Sequence, residues 1–302
     1  MKSAVLYKTG GIDSFKIEEL NVPIINPDQI LVKVEFAGVA FADILMRHGK
    51  YPKMPKFPFT PGYDICGVVE QIGGDVKEFN VGDKVIALTQ FGGYSEKTVV
   101  HHKRAMKIPA TMNGAEAVTL VLNYISAYQM LTKYKPLRPG NKVLIHSAAG
   151  GVGTALVQVA NSMGLKVYGT CSASKQEIVK RYGCIPIDYK KENFVKVLNE
   201  MEPDGLDMVF DPVGGKNWIE SNEVLNKKGM LIGFGLFSLF NKDEVVGSMV
   251  DAFQVIMKLI VKSFFGGNKF TFYNISINKK GHLEDRNSHI GRRFQSFCVP
   301  CG

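Results

Sequence analysis

The sequence predicts an α/β chain: a doubly wound parallel sheet, preceded by a smaller β-rich domain. Three observations carry this. First, Lys142-Val143-Leu144-Ile145 leads into Ala148-Ala149-Gly150-Gly151-Val152-Gly153 and then an apolar stretch through Ala160. That order reads as buried strand, tight turn and helix, with Leu156, Val159 and Ala160 on one helical face. Second, apolar runs at 165–170, 185–189, 206–211 and 230–235 alternate with helical patterns, which implies parallel strands joined by right-handed crossovers. Third, residues 1–107 hold short strands such as 29–36, with alternating apolar positions between glycine and proline turns. This half reads as a partly open barrel.

The remaining segments follow from local chemistry. Prolines 52, 55, 58 and 61 recur at every third position, and because each fixes its own φ and extends the residue before it, they predict a stiff loop forming a pocket wall. Residues 114–121 and 123–134 read as two helices, with Pro136 and Pro139-Gly140 as a breaker before the glycine-turn strand. Residues 245–265 are apolar apart from a stripe of Asp251, Gln254, Lys258 and Lys262. The stripe predicts an amphipathic helix buried against the fold or a subunit, with a membrane surface as the second possibility.

At 302 residues the chain is long enough for two cores. Its net charge of +9 is spread along the sequence with no aromatic-basic module, which argues against nucleic acid, and an anionic cofactor accounts for part of it. The five cysteines are mostly scattered in apolar segments, so reduced thiols are expected. The N-terminus alternates like a strand and lacks a signal peptide's apolar core, so the expected location is cytoplasmic.

The turn has the spacing Ala148-x-Gly150-x-x-Gly153, a dinucleotide fingerprint with alanine in place of its first glycine. Residues Ala149, Gly150, Gly151, Val152 and Gly153 are therefore expected to present backbone N–H groups and a helix N-terminus to a pyrophosphate. An NAD site usually carries an acid roughly 20 residues further on, for the ribose hydroxyls. Here Thr170-Cys171-Ser172-Ala173-Ser174-Lys175 stands there. With no acid to repel a 2′-phosphate, and with Ser172 and Lys175 to meet it, NADPH is favoured over NADH. Ser126, Val213, Gly214, Phe234 and Gly235 are expected around the nicotinamide, because ligands sit beyond the carboxyl ends of such strands.

These motifs occur together with Val81-Gly82-Asp83-Lys84-Val85, Gly93-Tyr94-Ser95-Glu96, Asn123-Tyr124-Ile125-Ser126-Ala127-Tyr128 and Asp211-Pro212-Val213-Gly214-Gly215. In that order the chain resembles the zinc-independent quinone oxidoreductase branch of the medium-chain dehydrogenase/reductase superfamily, which includes zeta-crystallin-like and vesicle-amine-transport-protein-like members. The resemblance implies a chaperonin-10 (GroES)-like β-barrel domain over 1–122 and a Rossmann NADPH-binding domain over 123–265. A return segment would follow over 266–302. From about residue 284 this segment departs from the family pattern, which predicts a truncated or altered ending; its Cys298-Val299-Pro300-Cys301 pair reads as incidental.

Where zinc-dependent relatives place a cysteine and a histidine, this chain has Ala40 and Tyr63. No metal is expected. The implied activity is hydride transfer from NADPH to a quinone or an α,β-unsaturated carbonyl. Tyr51, in a Gly-x-Tyr-Pro turn, and Tyr63 are the candidates to polarise the carbonyl; packing roles remain open for both. Tyr189 matches a family position near the adenosine phosphate, while Asp43 and His48 read as scaffold. A homodimer through an apolar edge strand at 230–236 is expected. The alternative function is a non-catalytic, nucleotide-binding scaffold associated with a vesicle or membrane.

Overall fold

In the computed structural model, the described residues are 1–51, 54–235, 267–273 and 275. They form two compact units, one over 1–122 and the other over 123–275. The amphipathic pattern at 245–265 and the Cys298/Cys301 pair lie outside the described residues.

The first unit is antiparallel. β1 (Lys2–Leu6) pairs with β2 (Phe15–Glu19), and a five-stranded sheet runs in the order β6-β3-β4-β5-β7. Its members are β3 (Gln29–Ala37), β4 (Asp64–Ile72), β5 (Lys84–Leu88), β6 (Lys97–His101) and β7 (Ala105–Lys107). Alternation decides which residues face inward: Ile30 and Val32 of β3, Ile65 and Val69 of β4, and Val85 and Ala87 of β5 share one core with Val76, Phe79 and Val100. The proline-rich loop lies against the first strand, where Phe59 and Leu6 form a β-bridge. α1 (Phe41–Arg47) follows β3, and α2 (Gly114–Thr119) closes the unit.

The helical region at 114–134 is more continuous than its sequence suggests. α2 passes through a π-helical turn at Leu120–Tyr124 directly into α3 (Ile125–Lys133). A π-turn inserts an extra residue without breaking the helix, and periodicity alone does not register it.

The second unit is a six-stranded, all-parallel sheet in the order β10-β9-β8-β11-β12-β13. The strands are β8 (Lys142–Ile145), β9 (Lys166–Cys171), β10 (Ile185–Asp188), β11 (Leu206–Asp211), β12 (Leu225–Gly233) and β13 (Lys269–Phe272). Their connections include α4 (Gly151–Ser162), α5 (Gln176–Arg181), α6 (Phe194–Met201) and α7 (Lys216–Glu223). Both faces of the sheet are covered. Val143, Ile145, Met208, Phe210 and Ile232 pack on the α3–α4 side with Leu131, Leu156 and Val159. The intervening Leu144, Val209 and Leu231 pack on the other side with Phe194, Leu198 and Trp218. Burial on both faces is why these strands read as continuous apolar runs.

Two boundaries differ from the sequence expectations. β13 belongs to the parallel sheet, so residues 267–275 extend the second unit beyond 265. β12 is an interior strand, bonded to β11 on one side and β13 on the other, so it offers no free edge for a dimer. A four-residue strand more than 30 residues downstream of β12 carries too little pattern to be placed from sequence.

Alanine in the fingerprint's first position is matched by a glycine across the sheet. A Cβ on Gly169 of β9 would lie 2.6 Å from Ala148 Cβ and 2.6 Å from Cys184 Sγ, both in the core. Gly169→Ala is therefore expected to cost about 1–3 kcal/mol by overpacking, lowering Tm by roughly 2–10 °C. Adding Ala148→Gly should recover part of that loss, as read by thermal unfolding of the single and double variants.

Candidate functional site

The strand order reverses between β8 and β11, and in open α/β sheets ligands bind beyond the carboxyl ends of the strands at such a reversal. Both glycine-bearing turns flagged in the sequence begin there. After β8 the chain turns through Ser147, held at φ 55°, a left-handed conformation that costs a non-glycine residue about 1–2 kcal/mol. The Gly150 N–H donates to the Ser147 carbonyl at 2.9 Å, and α4 starts at Gly151 with no side chain capping it. The N–H groups of Gly151, Val152 and Gly153 lie in that uncapped first turn, pointing along the positive end of the helix dipole.

Space in the turn is tight. A Cβ on Gly153 would lie 2.1 Å from the Ser147 carbonyl oxygen, and one on Gly151 would lie 3.0 Å from the Asn123 amide. Gly153 is thus fixed by the close passage of helix over strand. Asn123, which the sequence reading used only as a family marker, lies over the turn.

On the β11 side, the buried Asp211 carboxylate organises the other turn. Its Oδ1 accepts the Val213 and Gly214 N–H groups at 2.7 and 3.2 Å; its Oδ2 accepts Asn217 Nδ2 and the Ser221 hydroxyl, both at 2.7 Å. Gly214 and Gly215 both have positive φ, which glycine adopts without strain. The Phe234 N–H donates to the Asp211 carbonyl at 3.1 Å, and a Cβ on Gly235 would fall 2.8 Å from the Pro212 carbonyl. Val213, Gly214, Phe234 and Gly235 are therefore brought together. Ser126 is buried in the first turn of α3, bonded to the Tyr273 side chain that follows β13. Burial pushes that Tyr273 hydroxyl up, with the Ser126 bond opposing.

Beyond β9, Ser172 caps a short turn over Ala173–Lys175, with its hydroxyl 3.3 Å from that of Ser174. Lys175 and Tyr189 are both exposed. Between the turns lies a buried histidine that the sequence reading missed. His146 is 2% exposed, with Nδ1 3.0 Å from Thr170 Oγ1 and Nε2 3.0 Å from Ser221 Oγ. Burial pushes its pKa down, with Asp211 opposing, so the ring is neutral. The only sequence signal was its position directly after a strand that leads into glycines.

In the first unit, the hydroxyl of Tyr51 donates to that of the buried Tyr63 at 3.0 Å, with the rings edge-on. Asp43 is scaffold, as expected: it accepts the Ala40 N–H at 2.9 Å and the Gly62 N–H at 3.1 Å, tying α1 to the loop before Tyr63. Asp64 is buried against Gly38, and its Oδ1 has no hydrogen-bond partner among the described residues. Burial, then the nearby Asp43 charge, pushes the Asp64 carboxyl up to about 7.

A reversed parallel sheet with a glycine-rich turn at its switch point, beside an antiparallel β unit, defines the medium-chain dehydrogenase/reductase class. Comparison with known proteins narrows this. Residues 26–110 match the alcohol dehydrogenase GroES-like domain, and residues 151–276 match the zinc-binding dehydrogenase domain. A synaptic vesicle membrane protein VAT-1 homolog from Danio rerio is 38% identical over 237 residues, covering 78% of this chain and 49% of that protein. A quinone oxidoreductase from Pongo abelii is 30% identical over 240 residues, covering 78% of this chain and 73% of that one. The crystal structure of Escherichia coli quinone oxidoreductase complexed with NADPH superposes with a TM-score of 0.86 at 25% identity, covering 100% of this chain and 90% of that one. The chain belongs to the quinone oxidoreductase (zeta-crystallin-like) branch of the medium-chain dehydrogenase/reductase superfamily. It spans about half the length of the Danio relative.

The zinc in the second domain's description is not matched by donors here. Ala40 has no ligating atom, Tyr63 is engaged by Tyr51, and among the described residues no cluster of three or more His, Cys, Asp or Glu side chains could hold a metal ion.

The Asp64 environment has a measurable consequence. In the unfolded chain this carboxyl ionises near 4, and in the folded chain near 7. Between those values the folded state keeps a proton that the unfolded state has shed, so stability falls as pH rises from about 4 to about 7. Asp64→Asn removes that component. The difference between urea midpoints at pH 5 and pH 8 should narrow by the equivalent of a few kcal/mol, on the order of 2–4.

Proposed function

We propose that the chain is an NADPH-dependent, zinc-independent oxidoreductase that reduces quinones or α,β-unsaturated carbonyls. The single observation that carries this is the cradle at 147–153: an uncapped helix N-terminus approached so closely by the preceding strand that only glycine fits at 153. The relative crystallised with NADPH supports the same cofactor. In this reading the N–H groups of Gly151, Val152 and Gly153 hold the diphosphate, with Ala149 and Gly150 shaping the turn and Asn123 beside it. Ser172 and Lys175 meet the 2′-phosphate and Tyr189 packs by the adenosine. The 213–214 and 234–235 turns, with Ser126, border the nicotinamide.

Bound NADPH supplies a hydride. The chain's own task is to orient the ring and stabilise the negative charge that develops on the substrate oxygen. The paired hydroxyls of Tyr51 and Tyr63 suit that task, because Tyr51 can donate to the oxygen while accepting from Tyr63. The working setting is a cytoplasmic small-molecule redox reaction, carried out by a homodimer that does not use β12. The relatives named for synaptic vesicle membranes favour a second reading, a nucleotide-binding scaffold at a membrane surface. Among the described residues no helix is long and apolar enough to cross a membrane.

Two measurements test this. Folded protein should consume NADPH, followed by absorbance, with an electrophilic quinone or enone, and Tyr51→Phe should lower kcat roughly tenfold or more with unchanged NADPH affinity. No turnover across a substrate panel, with NADPH bound, would favour the scaffold. Lys175→Ala should weaken NADPH binding by about tenfold while leaving NADH binding unchanged, as read by calorimetry.

A further inference from the structure

This inference rests on the reading above, that the glycine turn and the 211–214 turn hold the two ends of one dinucleotide. We propose that His146 is a positioning residue that couples these turns, through a one-way chain of hydrogen bonds beneath the carboxyl ends of β9, β8 and β11.

The direction of the chain follows from donor counting. Asp211 receives four donors, two backbone N–H groups, the Asn217 amide and the Ser221 hydroxyl, which together use its acceptor sites. Ser221 has one hydroxyl proton and spends it on Asp211, so at 3.0 Å its oxygen accepts from His146 Nε2–H. A neutral imidazole protonated at Nε2 has a bare Nδ1, which accepts the Thr170 hydroxyl proton at 3.0 Å. The Thr170 oxygen is then left to accept the Ser147 N–H at 3.4 Å, at the strained residue that opens the glycine turn. Each link fixes the polarity of the next, from the Ser147 amide to the Asp211 carboxylate that holds Val213 and Gly214.

Packing alone does not call for these nitrogens. The face of the ring lies edge-on to Phe194 at 4.7 Å, a contact that an aromatic hydrocarbon would also make. A buried polar ring costs free energy unless both nitrogens are paired, and here both are paired, to opposite sides of the switch point. Bonds polarised in series reinforce one another. Ordering of one turn is thereby passed to the other.

A double-mutant cycle on NADPH binding tests this. Thr170→Val and Ser221→Ala each remove one hydroxyl, on opposite nitrogens of His146, and each should weaken the NADPH Kd by roughly tenfold. The double variant should weaken it by about the same tenfold, because the chain is already broken, and Thr170→Ser should bind like the wild type. Independent effects multiplying to about a hundredfold, or wild-type affinity in both single variants, would overturn the proposal. Nitrogen-15 NMR of the wild-type histidine rings needs no variant: His146 should be protonated at Nε2 and bare at Nδ1, and the opposite tautomer would also overturn it. A wild-type protein that takes up no NADPH would instead refute the functional reading, with the tautomer still deciding the direction of the chain.

Discussion

The arrangement of the second unit depends on one close passage, where α4 crosses the turn after β8 with no room for a side chain at residue 153. That passage sets the helix angle, leaves its first N–H groups uncapped at the end of the sheet, and obliges Ser147 to take a left-handed conformation. The strain is confined to one residue and is held in place by buried strands on both sides. An anion-binding end of a helix results from backbone geometry alone, without a charged side chain in the turn.

The same economy appears across the sheet. Ala148 is fully buried, with its N–H bonded to the Thr170 carbonyl, and the space its methyl needs is vacated by Gly169 on the neighbouring strand. The Asp211 carboxylate likewise serves two purposes. It closes the 213–214 turn and anchors α7 through Asn217 and Ser221. Loss of such a group leaves several buried donors unpaired at once, a heavier cost than any one of its bonds suggests. In the first unit, by contrast, Asp64 is buried with an unpartnered oxygen beside the Tyr51–Tyr63 pair. A polar group kept at such cost often marks a place where chemistry takes precedence over stability.

Much of this was legible in the sequence, and the reasons are physical. A strand buried on both faces can only be a continuous apolar run, so β8, β9, β11 and β12 were visible, as was the face of α4 carrying Leu156, Val159 and Ala160. The glycine turn was visible because close approach tolerates few residue types. What stayed hidden depends on contacts distant in sequence. His146 and Ser221 are 75 positions apart, and neither belongs to a spacing motif. The interior position of β12 depended on β13, a strand of four residues. The π-turn at Leu120–Tyr124 differs from an α-helix by one inserted residue and leaves no mark on composition. Tyr51 and Tyr63 could be nominated one by one, but their hydroxyl contact belongs to the folded chain.

The central claim is that backbone amides at the start of α4 grip a diphosphate. Titration of nitrogen-15-labelled protein with NADPH, followed at the backbone amides, addresses it directly. The largest downfield proton shifts should fall on Gly151, Val152 and Gly153, with smaller ones at Val213 and Gly214. Saturating NADPH that leaves the amides of 151–153 unmoved would contradict the account.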